Sequence, residues 1–394
     1  MDNFFSQKLL FPTLFLFSLV VFLFHTTYTK TTIFADARFY YMTTRSIIKD
    51  FDIKFANEYE HFNMQPVYTN AEYVWNKYPP GVSFFWIPAL FVADGFSNAL
   101  NPFDTSGFGI VYQIAVATSS VLLGLLGLYF LYQLLKGYFS EKVSLLTSLA
   151  LFGTTNLFFY IALEPINSHA ASFFVSSIFL YYFFKHKKDK YYYLILGLLG
   201  GVAGLVRTQD ALILIIPILE IFLKSKQSFK FLATSYLLLS TGFLIGFFPQ
   251  IYFWGKIFGT FWSSPYLEEG FNLGNPQIFH VLFNGQNGLF TLTPIILLSF
   301  LGLFLIKKKL KIISVYAIFY FLLQTYIISS WSAFYQGGSY SIRMMITTYP
   351  LLSFGLASII EKSSKIIKER YVILITFFFT LLNMFFIIDY LLKY

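Results

Sequence analysis

Apolar residues along this chain fall into long runs. Between them lie either short basic loops or longer stretches where polar and aromatic positions alternate. A helix needs roughly 17–25 apolar residues to cross the hydrocarbon core of a bilayer. The runs predict spans near 9–28, 109–135, 143–162, 168–184, 191–206, 211–223, 231–253, 289–306, 312–330, 344–360 and 371–389, of which 211–223 is the shortest. One further apolar piece, GVSFFWIPALFVAD at 81–94, contains Pro88 and is short for a span. It reads as a re-entrant or interfacial helix. The pattern predicts an all-α integral membrane protein: a polytopic helical bundle of eleven transmembrane helices in a single domain, residues 1–394.

Charge placement sets the orientation. With the N-terminus inside and 81–94 not crossing, the inside segments are the N-terminus, KGYFSEK, KHKKDK, KSKQSFK, KKKLK and EKSSKIIKER. They hold 18 of the 28 Lys and Arg residues, although the outside loops are much longer. If 81–94 crossed, four strongly basic loops would face outward, against the positive-inside rule. The expectation is therefore a cytoplasmic N-terminus and an outer C-terminus, in a bacterial plasma membrane. Three loops face outward: 29–108, expected to carry interfacial helices, 254–288 and 332–343. Function is expected there, since loops held by a rigid scaffold carry most chemistry.

Composition agrees. Charged residues make up 12% and hydrophobic residues 57%, where a soluble domain has about 25% charged. The net charge of +9 sits in the short loops and reports topology rather than nucleic-acid binding. With no cysteine, disulfides, thiolate chemistry and Cys-ligated metals are excluded. The first run, Leu9 to Phe24, is like a signal-peptide core, but FHTTYTK supplies no small-residue cleavage site, so a retained helix is expected.

Just past the first span stands ADARFYYMTTRSIIKDFDIKFANEYEHF. From Ala37 to Lys49 it has no Gly or Pro, and its apolar positions suit a helix lying in the interface. Asp36 sits where that helix starts. A carboxylate there is a helix cap or a catalytic group, and this segment alone does not choose. Arg207, in GLVRTQDALIL, lies between two apolar runs with almost no loop around it. A charge at that depth is either paired, here with Asp210 three residues on, or functional. Arg343 enters the span at 344–360 after Gly337 and Gly338; it either binds an anion or extends to the headgroups.

These pieces together resemble the GT-C membrane glycosyltransferases, the superfamily of the protein O-mannosyltransferases and the lipid A aminoarabinose transferase. The resemblance is carried in order by ADARFYY, DFDIKFANEYE, YPPGVSFFWIPALF, ALEPINSHAASF, GLVRTQDAL, GLFTLTPIIL and WSAFYQGGSYSIRMMITTYP. With no large soluble C-terminal domain within the chain, the oligosaccharyltransferase branch fits poorly. The resemblance implies a sugar moved from a polyprenyl-phosphate donor to a glycan, lipid or protein acceptor on the outer face, with membrane lipids as surroundings and with inversion. The leaving group is a stable phosphate anion. One base for the acceptor and cations for the phosphate then suffice; a glycosidase needs a second carboxylate.

On that reading Asp36 is the catalytic base, kept ionised by Arg38 and Arg45, with Glu58 as the alternative carboxylate. Arg207 and Arg343 bind the phosphate, with Lys77 a third cation, and Tyr40, His169 and Gln209 are further substrate contacts. Tyr40 and Tyr41 are placed to pack on sugar or prenyl chain. Asn167 or Ser168 capping the next helix would leave His169 a bystander. No cofactor is required; no HExxH or paired-His spacing occurs, while a divalent metal held by carboxylates alone stays open. A transporter or lipid flippase is the competing reading, but such proteins show internal repeats and short loops on both faces, and neither is evident. An outward-facing polymerase or ligase of envelope polysaccharide would share the topology.

Overall fold

The apolar runs fold as helices. The computed structural model describes residues 7–100, 104–186, 189–224, 228–262 and 269–393. The N-terminal residues 1–6 and parts of four expected loops, 101–103, 187–188, 225–227 and 263–268, lie outside the described residues. Among the described residues there is no strand, only two isolated bridges, Tyr68 with Val74 and Phe271 with Trp331.

The chain opens with α1 (Gln7–Thr29), followed by α2 (Ala37–Arg45), a π turn Ser46–Asp50, α3 (Ala56–His61) and α4 (Gly81–Ala99). Next come α5 (Ile110–Leu135), α6 (Glu141–Gly153) and α7 (Asn156–Phe158), which runs into a second π turn, Phe159–Leu163. Then follow α8 (His169–Lys185), α9 (Tyr192–Val206), a 3-10 segment Thr208–Leu214, α10 (Ile215–Leu223) and α11 (Phe229–Phe258). The last part holds α12 (Ile278–Phe283), α13 (Leu289–Leu292), α14 (Pro294–Gly302), α15 (Lys311–Ser330), α16 (Tyr349–Ile366) and α17 (Glu369–Lys393).

Among the described residues seven helical segments are long and apolar enough to cross a membrane, so this is an integral membrane protein. They are α1, α4, α5, α11, α15 and α16, the last two with the 3-10 turns before them, and α17. The eleven full-length crossings expected are not all matched. α9 has 15 residues and α10 has 9, and the single span expected over 143–162 bends by 69° between α6 and α7. The bend has a local cause. Thr155 is extended, and its hydroxyl accepts from the Leu157 amide, so a new helix is capped one residue after the old one ends.

α4 extends past the expected 81–94 and accommodates Pro88, giving it the length of a span. Gly81 abuts the backbone of Leu205 and Val206 at the end of α9. From there α4 runs antiparallel along α5: Trp86 donates to Ser120, and Asp94 accepts from Tyr112 in the first turn of α5 and pairs with Lys49.

α9 and α11 pack with their backbones nearly touching. Gly197 and Gly201 on α9 face Gly242 and Gly246 on α11; a Cβ on Gly242 would lie 2.0 Å from the Leu194 carbonyl oxygen. Small residues four apart on both partners let helices approach closely without a hydrophobic driving force between them. This contact fixes the end of α9, from which Arg207 projects. At the opposite edge, buried Asn383 of α17 donates to the carbonyls of Gly153 and Thr155 and accepts from Tyr340. It thus satisfies the groups freed by the bend and ties the 332–343 loop to the last helix.

Candidate functional site

Four segments distant in sequence converge where α2, the bend after α7, the end of α9 and the 3-10 turn Arg343–Thr348 come together. Asp36 is the centre. It occupies the N-cap position of α2, yet its side chain makes no capping bond. Its Oδ2 instead accepts from Nη2 of Arg343 at 2.6 Å, across 307 positions of sequence. The Tyr78 phenol lies near the same carboxylate and favours its ionised form. Burial works against the ionised form, but Arg343, Tyr78 and Lys77 outweigh it and hold the Asp36 carboxyl below its ordinary value. The helix-cap alternative is therefore not what the structure shows.

The expected charge partners of Asp36 are corrected at this point. Arg45 turns away to the buried Glu58 at 2.7 Å, to Asp50, and onto the face of Phe108. Arg38 lies over Phe62. Glu58 belongs to this second cluster. Its side chain is fully buried with Oε2 unpartnered, and burial pushes its carboxyl up to about 7 against the opposing effect of Arg45. It is not brought to the Asp36 site.

Arg207 does not form the alternative ion pair with Asp210 either. Asp210 accepts from the Ser172 hydroxyl, while Nη1 of Arg207 lies beside the His169 imidazole, 2.7 Å from Nδ1 and 3.4 Å from Nε2. His169 is buried at the first residue of α8, with the Tyr160 ring 4.5 Å away. Tyr40 bridges the two halves. It lies within electrostatic reach of Arg207, Asp36 and Arg343 together. Its ring packs on Tyr78 at 5.0 Å. Tyr41 points elsewhere, to the Gly107 carbonyl. Gln209 donates to the Met344 carbonyl beside Arg343, and Gln324 donates to the Gln209 carbonyl. Lys77 is paired with Glu269 of the 254–288 loop at 2.6 Å while still acting on Asp36.

Sequence reasoning passed over two members of the site. Tyr78 lies beside Asp36. Glu164 stands at the end of the second π turn, half-buried and within reach of Arg343; burial pushes its carboxyl up to about 7, with Arg343 opposing. A signal for Glu164 existed: a carboxylate between an apolar run and Pro165, at a depth where unpaired charge is costly. The backbone here is strained as well as polar. Ala35, Gln336 and Ser341 have φ of 39°, 54° and 56°, conformations that side chains rarely adopt, and Gly337 joins them at 62°. Such residues cluster where a surrounding structure over-determines the chain, often at functional sites.

The arrangement offers two guanidinium groups, a carboxylate held in one of them, a second carboxylate nearby and two tyrosines. That suits an anionic ligand with a reacting group beside it. Among the described residues no group of three or more His, Cys, Asp or Glu side chains is gathered as for a metal.

Residues 108–253 match the family model described as dolichyl-phosphate-mannose-protein mannosyltransferase, which is less than half of the chain. No curated protein matches in sequence. Two solved structures are similar in fold, both of ArnT from Cupriavidus metallidurans. The apo state superposes with a TM-score of 0.56 at 15% identity, covering 90% of this chain and 60% of that one. The undecaprenyl-phosphate-bound state gives 0.58 at 12% identity, covering 90% and 61%. The chain thus spans about three fifths of ArnT's length and has its all-helical membrane fold, the GT-C fold that the sequence motifs resemble.

Proposed function

We propose that this protein is a membrane glycosyltransferase that moves a sugar from a polyprenyl-phosphate carrier to an acceptor on the outer face. The observation that carries the reading is the Asp36–Arg343 pair at 2.6 Å, with Arg207 within electrostatic reach of Tyr40 as Asp36 and Arg343 are. The fold and the partial family match agree with it: one similar structure holds undecaprenyl phosphate, and the matched family is described by a dolichyl-phosphate-linked sugar.

In the reaction proposed, the donor phosphate lies between Arg343 and Arg207. Arg343 then exchanges a carboxylate partner for a phosphate partner. Asp36, losing part of the positive charge that depresses its pKa, becomes a better base as the donor seats. It takes the proton from the acceptor hydroxyl or amine as that group attacks the anomeric carbon. The carbon–oxygen bond to phosphate breaks, and the electron pair stays on the lipid phosphate, which the two arginines neutralise. A single displacement of this kind inverts the anomeric centre. Tyr78 and Tyr40 keep the carboxylate and the cations in register.

The direct test is binding of undecaprenyl phosphate to the purified protein in detergent. Wild type is expected to bind. Arg343→Ala and Arg207→Ala are each expected to weaken binding by about tenfold or more, the cost of losing a charge-assisted contact. Absence of binding by wild type, or unchanged affinity in both variants, overturns the reading. Loss of envelope glycans on deletion of the protein, read by mass spectrometry, would then identify the sugar.

A further inference from the structure

The first loop has a second concave feature, on the exposed side of α3. That short helix divides its faces: Glu58 and Tyr59 are buried, whereas Asn57 and Glu60 are exposed. After His61 the chain turns back. Asn63 has φ of 52°, a conformation that asparagine tolerates better than most residues, and Pro66 biases Gln65 toward extended backbone. The returning segment is pinned at three points. The Met64 amide donates to the Tyr59 carbonyl at 2.8 Å, the Trp75 amide donates to the Val67 carbonyl at 2.7 Å, and the Thr69 hydroxyl donates to the Ile257 carbonyl of α11. Between α3 and this segment lies a cavity of about 690 Å³, whose walls include Asn57, Glu60, Asn63, Met64, Gln65 and Tyr68.

We infer that this cavity seats the acceptor and that the acceptor is a glycan; the inference rests on reading Asp36 as the base of a sugar transfer. The volume falls within the roughly 300–1,000 Å³ of small-ligand sites. The lining has the chemistry that sugars need. A carboxamide donates and accepts at once, as a hydroxyl does, so Asn63 and Gln65 match a ring carrying neighbouring hydroxyls. Neither of these side chains, nor the Glu60 carboxylate, has a hydrogen-bond partner among the described residues, so all three are left for a ligand. Tyr68 is 60% exposed and offers an aromatic face to the apolar side of a pyranose. Among the described lining residues there is one carboxylate and no cation, which disfavours an anionic head group. Carboxamides around the wall leave no continuous apolar groove for a lipid tail. The cavity is also tied to the base. Tyr59 of α3 meets the Phe39 ring at 6.2 Å, and Phe39 stacks at 5.1 Å on Tyr78, the phenol beside Asp36. Cavity and base thus belong to one packed unit of the loop, and a glycan whose end residue meets Asp36 extends over α3.

The probe is the pool of oligosaccharides released by mild acid from the envelope of cells lacking the protein. Purified protein is titrated with it, binding is followed by saturation-transfer NMR, and retained species are identified by mass spectrometry. Wild type is expected to bind. Gln65→Ala combined with Tyr68→Ala is expected to weaken binding by about tenfold or more, since it removes a hydrogen bond and a stacking face. Both side chains are exposed, so the melting curve should not move; should it move, Gln65→Ala alone is expected to weaken binding by about threefold. Phe279→Ala, an exposed ring of α12 outside the cavity, should leave binding unchanged. No oligosaccharide bound by wild type overturns the inference and returns the acceptor to a lipid or a protein. Wild-type affinity in the folded cavity variant, or an equal loss in Phe279→Ala, overturns it too. Undecaprenyl phosphate binding on the same samples separates the two readings. It is expected to be equal in wild type and cavity variant. Lipid phosphate bound without glycan sinks the inference alone; glycan bound without lipid phosphate sinks the donor reading and leaves the cavity a glycan site.

Discussion

Asp36 and Glu58 show how differently two carboxylates of one loop are used. Asp36→Asn keeps shape and volume but cannot accept a proton, and it releases Arg343. The variant is expected to fold and to bind undecaprenyl phosphate at least as tightly as wild type, while turnover falls by about 10²–10⁴. Wild-type turnover would remove Asp36 from the chemistry. Because its folded pKa is depressed, its stabilising contribution is present at neutral pH and is lost only as pH falls below the ordinary carboxylate value. Glu58 has the opposite sign. Its folded pKa of about 7 lies above the unfolded value of 4.5, so between these the native state holds the extra proton and stability falls as pH rises. Glu58→Gln should therefore raise the melting temperature at pH 8, leave it nearly unchanged near pH 4.5, and preserve turnover. Loss of turnover in a folded Glu58→Gln protein would return it to the list of catalytic carboxylates.

The elements are held by close backbone contacts as much as by apolar area. Gly242 on α11 has no room for a side chain, whereas Gly95 on α4 has nothing within 4 Å of the Cβ position. Gly242→Val is expected to unseat α9, and with it Arg207, with a clear drop in melting temperature and in lipid-phosphate affinity. Gly95→Ala should be neutral or stabilising by about 0.5–1 kcal/mol, since it replaces a mid-helix glycine. Equal effects of the two would refute the tight α9–α11 seam. The bend between α6 and α7 follows the same principle. Helix 143–162 reads as continuous because its apolar run is continuous, and only the Thr155 cap and the Asn383 contacts divide it.

For the whole molecule, orientation turns on α4. Its length allows a crossing, while the basic loops favour an orientation in which it does not cross. The chain is free of cysteine, so single cysteines report sidedness directly. Positions 309 and 338 are both exposed. Gly338→Cys should react with an impermeant thiol reagent added outside intact cells, and Lys309→Cys should not. Equal labelling would overturn the orientation and with it the placement of α4.

The sequence by itself determined the material and most of the parts. Long apolar runs leave a chain no alternative to helices in a bilayer, because every backbone polar group must be satisfied within the segment. A charged residue stands out against such runs, which is why Asp36, Arg207 and Arg343 were legible one by one. Their partners were not. Neighbours in sequence nominated Arg38, Arg45 and Asp210. Tertiary structure chose Arg343 for Asp36 and His169 for Arg207, and used Arg45 to bury Glu58. The reason is physical: a pairing depends on which helix ends are brought to one place. The α9–α11 glycine seam, the Thr155 bend and the strained loop before Arg343 set that, through contacts between residues far apart in the chain. Glu164 and Tyr78 entered the site by the same route: depth alone marked Glu164 as costly to leave unpaired, but nothing local named Arg343 as its neighbour or set Tyr78 beside Asp36.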